Sequence, residues 1–295
     1  MNPGCRSVFG VVGLTASFCG GGFSLPKHPY YPVRNLIWPK DMTYIFGARC
    51  IDGVVLVADR KVTVGETGRY EYQDKLFSSL YPIVWGSSGY QMFSDSFNNR
   101  VNVDVQNTLA RNQKQGKQSI DIGEFRIIVE EVYERMGALY GDRLRFGGLS
   151  ILMAQRTLQK SELWLIEQLG APQLQTGYVG IGHGAPHASL FTMKSLFDPQ
   201  KDRICKAAEV GFFVVKYIEK FQLDPSVGVD PQGGKNRYPQ VWFLPDNPPE
   251  GQPPGDYPIK QATDDELVRM EDYTQKRLQK LEANLTDFWQ VSVVS

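Results

Sequence analysis

The stretch from Thr43 to Lys61 constrains the fold of this chain most strongly. Its first half, TYIFGARC, is typical of a β-strand, and Asp52-Gly53 is a hairpin turn signal. The run Val54–Ala58 is continuously apolar, which indicates a strand that is covered on both faces. The charged residues Asp59 to Lys61 then follow at the point where this buried strand ends. We therefore predict a buried antiparallel hairpin with polar groups at one end.

The remaining elements are predicted in blocks by apolar periodicity. Periods of three to four residues predict helices at 91–113, 122–140, 185–196 and 204–223; strand patterns occur at 150–155, 162–167, 178–182 and 237–244, with a polar hairpin at 65–73. Blocks of this kind are typical of a layered α+β fold rather than of a doubly wound parallel sheet. Glycine-bounded turns are expected at 86–89 and at 180–184. The second lacks the βαβ context of a nucleotide loop, so a tight turn with positive φ is expected there.

Composition excludes several functional classes. The 295 residues allow one large domain or two ordinary ones, and 32 basic residues balance 32 acidic ones. A neutral balance argues against a nucleic-acid surface and against a polybasic membrane anchor. Four cysteines and three histidines show no metal-ligand spacing, so we expect no metal and no cofactor. Buried, reduced thiols are typical of a cytosolic protein, and we expect a cytoplasmic location.

The two ends of the chain differ from its middle. Residues 1–42 combine an apolar, glycine-rich run with several prolines, which matches a secretory signal poorly. We interpret them as a leader, a propeptide or an over-extended gene start. Residues 246–295 are predicted to form a proline-rich linker followed by a C-terminal amphipathic helix. Its apolar stripe is expected to dock on its own domain or on a sister subunit rather than on a regulator. Residues 43–245 form the predicted central domain.

A set of spaced residues resembles the N-terminal half of proteasome β-type subunits, a family that includes the HslV peptidase and the Anbu proteins. The matching residues are Thr43, Gly47, Asp59 with Arg60 and Lys61, Lys75 and Gly89. Further along, Leu163–Glu167, the Gly182-His183-Gly184 segment and Asp224 resemble later motifs of the family. The resemblance covers Thr43 to Leu244. It implies the four-layer αββα sandwich of N-terminal-nucleophile hydrolases.

The resemblance also implies residue roles, and each role makes chemical sense. A threonine hydroxyl is a weak nucleophile, and the α-amine of an N-terminal Thr43 has an ordinary pKa of about 8, which suits a general base. Lys75 would lower the effective pKa of that amine, Asp59 would orient Lys75, and Gly89 N–H would stabilise the oxyanion. By the same resemblance Asp224 matches the family's late aspartate and is a further catalytic residue. Thr63 would pair with an extended peptide, and the pocket for the residue before the scissile bond would be lined by Val62, Ser87 and Gln91.

Three departures from the family pattern affect this prediction. His183 stands where a serine is usual, and Val227 stands where a serine or threonine is usual, with Ser226 beside it. His183 could substitute as a titratable partner, or it could be an ordinary loop histidine. Met42 precedes Thr43 where family propeptides usually present glycine. We hypothesise that Met42 is the true initiator, since its removal would expose Thr43 directly.

The predicted function is that of a threonine-type endopeptidase subunit in a proteasome-like ring that degrades unfolded polypeptides. The expected partners are polypeptide substrates, other proteasome-type subunits in a homo- or hetero-oligomeric ring, and an unfolding ATPase, with no nucleic acid and no membrane. Two alternatives stay open: a non-catalytic structural subunit of such a ring, and an N-terminal-nucleophile amidohydrolase that acts on a small amide. Taken singly, Asp59 and Lys75 would be an ordinary ion pair and the glycines ordinary turn residues.

Overall fold

The computed structural model describes residues 43–64, 69–78, 83–89, 91–117, 120–140, 150–157, 160–167, 172–182, 184–187, 196–246 and 259–293. The strands in these ranges are β1 Tyr44–Cys50, β2 Gly53–Ala58, β3 Lys61–Val64, β4 Arg69–Tyr72, β5 Leu76–Ser78, β6 Ile83–Ser88, β7 Ser150–Arg156, β8 Ser161–Glu167, β9 Gln173–Gln175, β10 Tyr178–Gly182, β11 Gln240–Pro245 and β12 Lys260–Gln261. The helices are α1 Gln91–Lys114, α2 Ile122–Tyr140, α3 Ile204–Lys220 and α4 Asp264–Val293, and Gly234–Asn236 forms a 3₁₀ turn.

The first sheet is built around the predicted hairpin. Its strand order is β10-β1-β2-β11-β12, and the paired strands are antiparallel. Cys50 lies opposite Gly53, so the turn itself is Ile51-Asp52, and Gly53 opens β2 with a φ of +152°. All six residues of β2 are buried, which confirms the prediction of a strand covered on both faces. This hairpin fixes where Thr43 and Asp59 lie, because they immediately precede β1 and follow β2.

The second sheet has the antiparallel order β5-β6-β7-β8-β9, and β3 and β4 form a separate two-stranded ribbon. One hydrophobic cluster joins the two five-stranded sheets, with residues such as Leu56 from the first and Leu152 and Leu163 from the second. A Cβ atom added at Gly47 would come within 2.9 Å of all three leucine side chains. A larger residue at this position would therefore force these leucine side chains to shift. The molecule is a mixed α+β protein with antiparallel sheets, as predicted.

The helices cover the other faces of the sheets. Residues of α1 and α2 share a cluster with the second sheet, and residues of α3 and α4 share one with the first. The stripe of α4 packs with α3 through buried Leu267, Met270 and Leu278, so the tail helix docks on its own domain. Part of the predicted linker, Lys260–Gln261, forms β12 against β11.

Some sequence predictions were wrong in detail. The segment Gly86–Ser88 lies in β6 rather than in a turn, since it pairs with both β5 and β7. Leu139, which the periodicity of α2 predicts to share an apolar face with Phe125, Val132 and Met136, is 61% exposed, whereas those three residues are buried. Cys205 is exposed on the first turn of α3, whereas Cys50 is buried. Helix α3 ends at Lys220 and β11 begins at Gln240, each three residues inside the predicted bounds.

Two further predictions concern residues that lie partly or wholly outside the described ranges. Residues 185–187 are helical, but most of the helix predicted at 185–196 lies outside the described residues. The predicted leader, residues 1–42, lies wholly outside them. Within the ranges given above, the helices are all too short or too polar to cross a lipid bilayer.

Candidate active site

The end of the β1–β2 hairpin brings Thr43 and Asp59 together. Tyr44, the residue after Thr43, donates its backbone N–H to Asp59 Oδ1 at 2.8 Å. The Asp59 N–H in turn donates to the Tyr44 carbonyl at 3.1 Å. These two hydrogen bonds extend the β1–β2 pairing by one residue, and the Asp59 carboxylate replaces a backbone carbonyl as one of the acceptors. The backbone of Thr43 is thereby tied to Asp59, and Thr43 itself is half-buried.

Lys75 completes a buried ion pair. Its Nζ donates to Asp59 Oδ1 at 2.7 Å, so the ammonium and the Tyr44 N–H share one carboxylate oxygen. The other oxygen, Oδ2, accepts the backbone N–H groups of Lys61 at 3.2 Å and Gly228 at 3.3 Å. The side chain of Asp59 is 0% exposed and that of Lys75 is 6% exposed. An ion pair so fully withdrawn from water and so completely hydrogen-bonded differs from an ordinary surface pair.

Burial and hydrogen bonding act on Asp59 in opposite directions. Desolvation raises the pKa of the Asp59 carboxyl above its usual value, because the charged form has lost its water. The Lys75 ammonium and the Tyr44 and Gly228 amides oppose that rise by stabilising the carboxylate. The Asp59 carboxylate is therefore stabilised by Lys75 together with these two amides.

Gly182 allows the backbone of Thr43 to approach β10. Gly182 lies opposite Tyr44 and has a φ of +90°, which confirms the positive φ predicted for this glycine cluster. A Cβ atom at this position would lie 1.8 Å from the Thr43 carbonyl oxygen. Two residues on, a Cβ atom at Gly184 would come within 2.9 Å of the Tyr44 side chain. His183 itself lies outside the described residues.

The late loop that contains Asp224 also reaches the site. Gly228 donates to Asp59, and its carbonyl accepts the N–H groups of Arg60 and Lys61 at 2.9 and 3.0 Å. The Ser226 hydroxyl and N–H both bond to the Asp224 carboxylate, and Ser226 is buried. Val227 is buried within the cluster of α3 and the first sheet. The loop thus contributes a backbone amide to Asp59, while the Ser226 hydroxyl is engaged with Asp224.

The predicted substrate-binding residues occupy three neighbouring elements. Val62 is buried in β3, and Thr63 lies opposite Tyr70 in the β3–β4 ribbon. Ser87, near the end of β6, is buried and donates its hydroxyl to Asn98 Oδ1 of α1 at 3.1 Å. Gly89 follows β6, and Gln91 begins α1. No local sequence pattern marks Asn98 as part of the site, because its partner lies on another element.

Two further buried side chains bond to residues around the ion pair: Arg60, which the family pattern includes without a predicted role, and Gln240, for which no role was predicted. Arg60 is buried, pairs with Asp74 and donates Nε to the Tyr238 carbonyl at 2.7 Å. Gln240 is also buried, and its side-chain amide bonds to the backbone of Lys75 and Leu76. Neither interaction has a local sequence pattern, since each joins residues that are distant in the chain.

The site has no described set of side chains suited to a metal. Among the residues that the structure describes, no cluster of three or more His, Cys, Asp or Glu side chains could hold a metal ion.

Comparison with solved structures gives the fold an external reference. Anbu from Hyphomicrobium sp. strain MC1 is similar, with a TM-score of 0.60 and 13% sequence identity over 83% of this chain and 97% of that chain. The Anbu (Gly-1) mutant from the same strain gives a TM-score of 0.58 at 14% identity, with the same coverage. No family model and no curated protein sequence matches this chain. Identity this low supports a shared fold and leaves activity to be argued from the site.

Proposed function

We propose that this chain is a threonine-type endopeptidase subunit of a proteasome-like ring assembly. The observation that carries the proposal is the shared oxygen of Asp59, which accepts both the Lys75 ammonium and the amide that follows Thr43. This arrangement supports the proposal, because both groups meet at one carboxylate oxygen and a buried positive charge would thus lie close to the residue whose hydroxyl would react. The two stacked sheets and their helix pairs support the four-layer αββα sandwich of N-terminal-nucleophile hydrolases as the fold.

Acylation begins at the Thr43 hydroxyl. When Thr43 is the first residue, its free α-amine accepts the hydroxyl proton as Oγ attacks the carbonyl carbon of a peptide bond. Lys75 lowers the pKa of the amine, so that more of it is unprotonated at neutral pH. Asp59 keeps the ammonium in place. A residue preceding Thr43 would convert the amine into an amide and remove the base.

The tetrahedral intermediate carries a negative oxygen, and the backbone N–H of Gly89 stabilises it. The protonated amine then gives its proton to the nitrogen of the leaving peptide, the C–N bond breaks, and an ester on Thr43 Oγ remains. Water, activated by the same amine, attacks this ester and releases the second product. Asp224 holds the loop that donates the Gly228 amide to Asp59.

Substrate and assembly are part of the same proposal. An extended, unfolded polypeptide would pair with Thr63 as an added strand, and its side chain would enter a pocket formed by Val62, Ser87 and Gln91. Confinement in a ring of proteasome-type subunits would supply the selectivity that such backbone recognition lacks. An ATPase that unfolds substrates is the expected partner, in the cytoplasm. Residues 1–42, 43–245 and 246–295 are proposed to be leader, peptidase domain and tail.

A second candidate function is that of a non-catalytic ring subunit with the same fold. It is favoured by buried Val227, which replaces a hydroxyl that family members place near the amine, and by the engagement of Ser226 with Asp224. Under this alternative the Asp59–Lys75 pair would be structural.

The test uses a chain expressed from Met42, in which removal of the initiator methionine exposes Thr43. Intact mass establishes the first residue, and hydrolysis of a fluorogenic peptide amide and of an unfolded protein is then measured. We expect hydrolysis by this chain, reduced hydrolysis by Thr43→Ser and none by Thr43→Ala. The chain from Met1 should be inactive until it is processed to Thr43.

The outcomes separate the candidates. Hydrolysis that is unchanged in Thr43→Ala would overturn the proposed nucleophile. A properly trimmed chain that assembles into rings but hydrolyses neither substrate would favour the structural subunit. Activity on a small amide alone would assign the nucleophile to amidohydrolase chemistry.

A further inference from the structure

Lys75 lies just before an edge strand, where the backbone needs a partner. Strand β5 begins at Leu76 and is the first strand of the second sheet, paired with β6 on one side. An edge strand presents N–H and C=O groups that a neighbouring strand would otherwise satisfy. The position of Lys75 therefore depends on which group bonds to the side of β5 that faces away from β6.

The side chain of Gln240 occupies that side. Its Oε1 accepts the N–H groups of Lys75 at 3.0 Å and of Leu76 at 2.8 Å, and its Nε2 donates to the Leu76 carbonyl at 2.8 Å. Gln240 is only 2% exposed. A carboxamide has the same donor and acceptor as a peptide group, so Gln240 makes the hydrogen bonds that a neighbouring strand would make at this point.

Gln240 is also in register with the other half of the ion pair. It lies on β11 directly opposite Ala58, the residue before Asp59. The same residue thus fixes the backbone next to Asp59 through the first sheet and the backbone of Lys75 through its side chain. A buried ion pair is worth most when both partners are held in one geometry.

We propose that Gln240 is a positioning residue that holds Lys75 beside Asp59 and thereby sets the charge environment of Thr43. It acts through the Lys75 backbone and touches no substrate. The catalytic part of this proposal rests on the proposed function, whereas the positioning part is measurable without activity.

Two variants of Gln240 and one matched control test the proposal. Gln240→Met keeps the length and removes all three hydrogen bonds. Gln240→Glu keeps an acceptor for the two N–H groups but, when ionised, loses the donor to Leu76. The control is Gln155→Met, which removes another buried glutamine whose Nε2 donates to the Ile120 carbonyl at 2.6 Å in the second sheet. The control thus removes a buried glutamine hydrogen bond away from Lys75.

The first measurement is hydrogen exchange by mass spectrometry on peptides that cover residues 73–78. Gln240→Met should exchange at least about tenfold faster there, since two amide hydrogens lose their acceptor, while peptides from β7 stay protected. Gln155→Met should leave residues 73–78 unchanged. Protection at 73–78 that is the same in Gln240→Met and in the unchanged chain would overturn the proposal, whether or not the protein is an enzyme.

The second measurement is the pH profile of peptide hydrolysis by the chain that begins at Thr43. A misplacement of about 1 Å costs about 10²-fold in rate, so Gln240→Met should lower kcat by about that factor with little change in KM. It should also shift the pH profile to higher pH, because the Thr43 amine loses the nearby Lys75 charge that lowers its pKa. Gln240→Glu should recover toward the unchanged chain on acidification, because a protonated carboxyl can again donate to Leu76. A lower kcat with an unshifted profile would reduce Gln240 to a structural residue.

The two failures are distinguishable. If the unchanged chain lacks activity while exchange at residues 73–78 responds to Gln240→Met, the proposed function fails and the positioning role stands.

Discussion

Removal of Lys75 from the buried ion pair with Asp59 should destabilise the fold by an amount that follows from the groups around Asp59. In Lys75→Met the carboxylate would stay at 0% exposure with its ammonium gone but with the Tyr44, Lys61 and Gly228 amides in place. Removal of one partner of a buried pair costs about 3–5 kcal/mol. Because three amide donors remain, we expect the lower end, a loss of about 3 kcal/mol in the free energy of unfolding.

A double-mutant cycle isolates the pair. Asp59→Asn removes the charge that Lys75→Met leaves unpaired, so the double variant should be more stable than the two single losses predict. The expected coupling is about 2 kcal/mol, within the range for residues in direct contact. Urea unfolding of the four chains at one protein concentration measures it, since assembly would otherwise shift stability by mass action.

The effect also has a defined pH dependence. Burial already raises the pKa of Asp59, and Lys75 opposes that rise, so Lys75→Met should raise the pKa further. A group whose pKa is higher in the folded state binds its proton more tightly there, and stability falls as pH rises through the folded pKa. The deficit of Lys75→Met should therefore be smaller at pH 5 than at pH 8. Additive losses in the cycle, or a deficit that grows on acidification, would refute the reasoning.

Three other predictions test separate features. Gly182→Ala should cost about 1–3 kcal/mol in stability and about 10²-fold in activity, because Gly182 has a φ of +90° and a Cβ there would meet the Thr43 carbonyl oxygen. Gly137→Ala is the control, since a Cβ at this position on α2 would lie in open space. Urea unfolding should show the control to be no less stable than the unchanged chain. Thr274→Val should raise the free energy of unfolding by about 1 kcal/mol, since the Thr274 hydroxyl is buried in the α4 stripe and has no hydrogen-bond partner among the described residues. Equal or lower stability in urea unfolding would contradict this. In the chain that begins at Thr43, a thiol reagent should add one label to the native protein, at exposed Cys205, and two after denaturation. The reason is that burial covers the Cys50 thiol and raises its pKa, which keeps it protonated. Intact mass counts the labels, and labelling of Cys50 in the native protein would be the contrary result.

Local sequence patterns predicted the secondary-structure elements on which these predictions depend. The apolar run of β2, the period of α1 and α2 and the stripe of α4 follow from local periodicity, and the structure has those elements close to their predicted bounds. The resemblance to the proteasome β-type pattern singled out Thr43, Asp59 and Lys75. In the structure, Asp59 bonds both to Lys75 and to the amide that follows Thr43.

The tertiary structure alone decided how that pattern becomes a site. Gln240 bonds to Lys75 across 165 positions and Gly228 to Asp59 across 169, and nothing in the neighbouring sequence marks either residue as a partner. Packing likewise left Leu139 outside the core and placed the polar Thr274 within it. A sequence pattern reports which face of an element is apolar, whereas the partner of each buried polar group is fixed only when distant strands meet. The sequence thus determined the elements and the candidate residues, and the fold determined which backbone groups hold the charges in place.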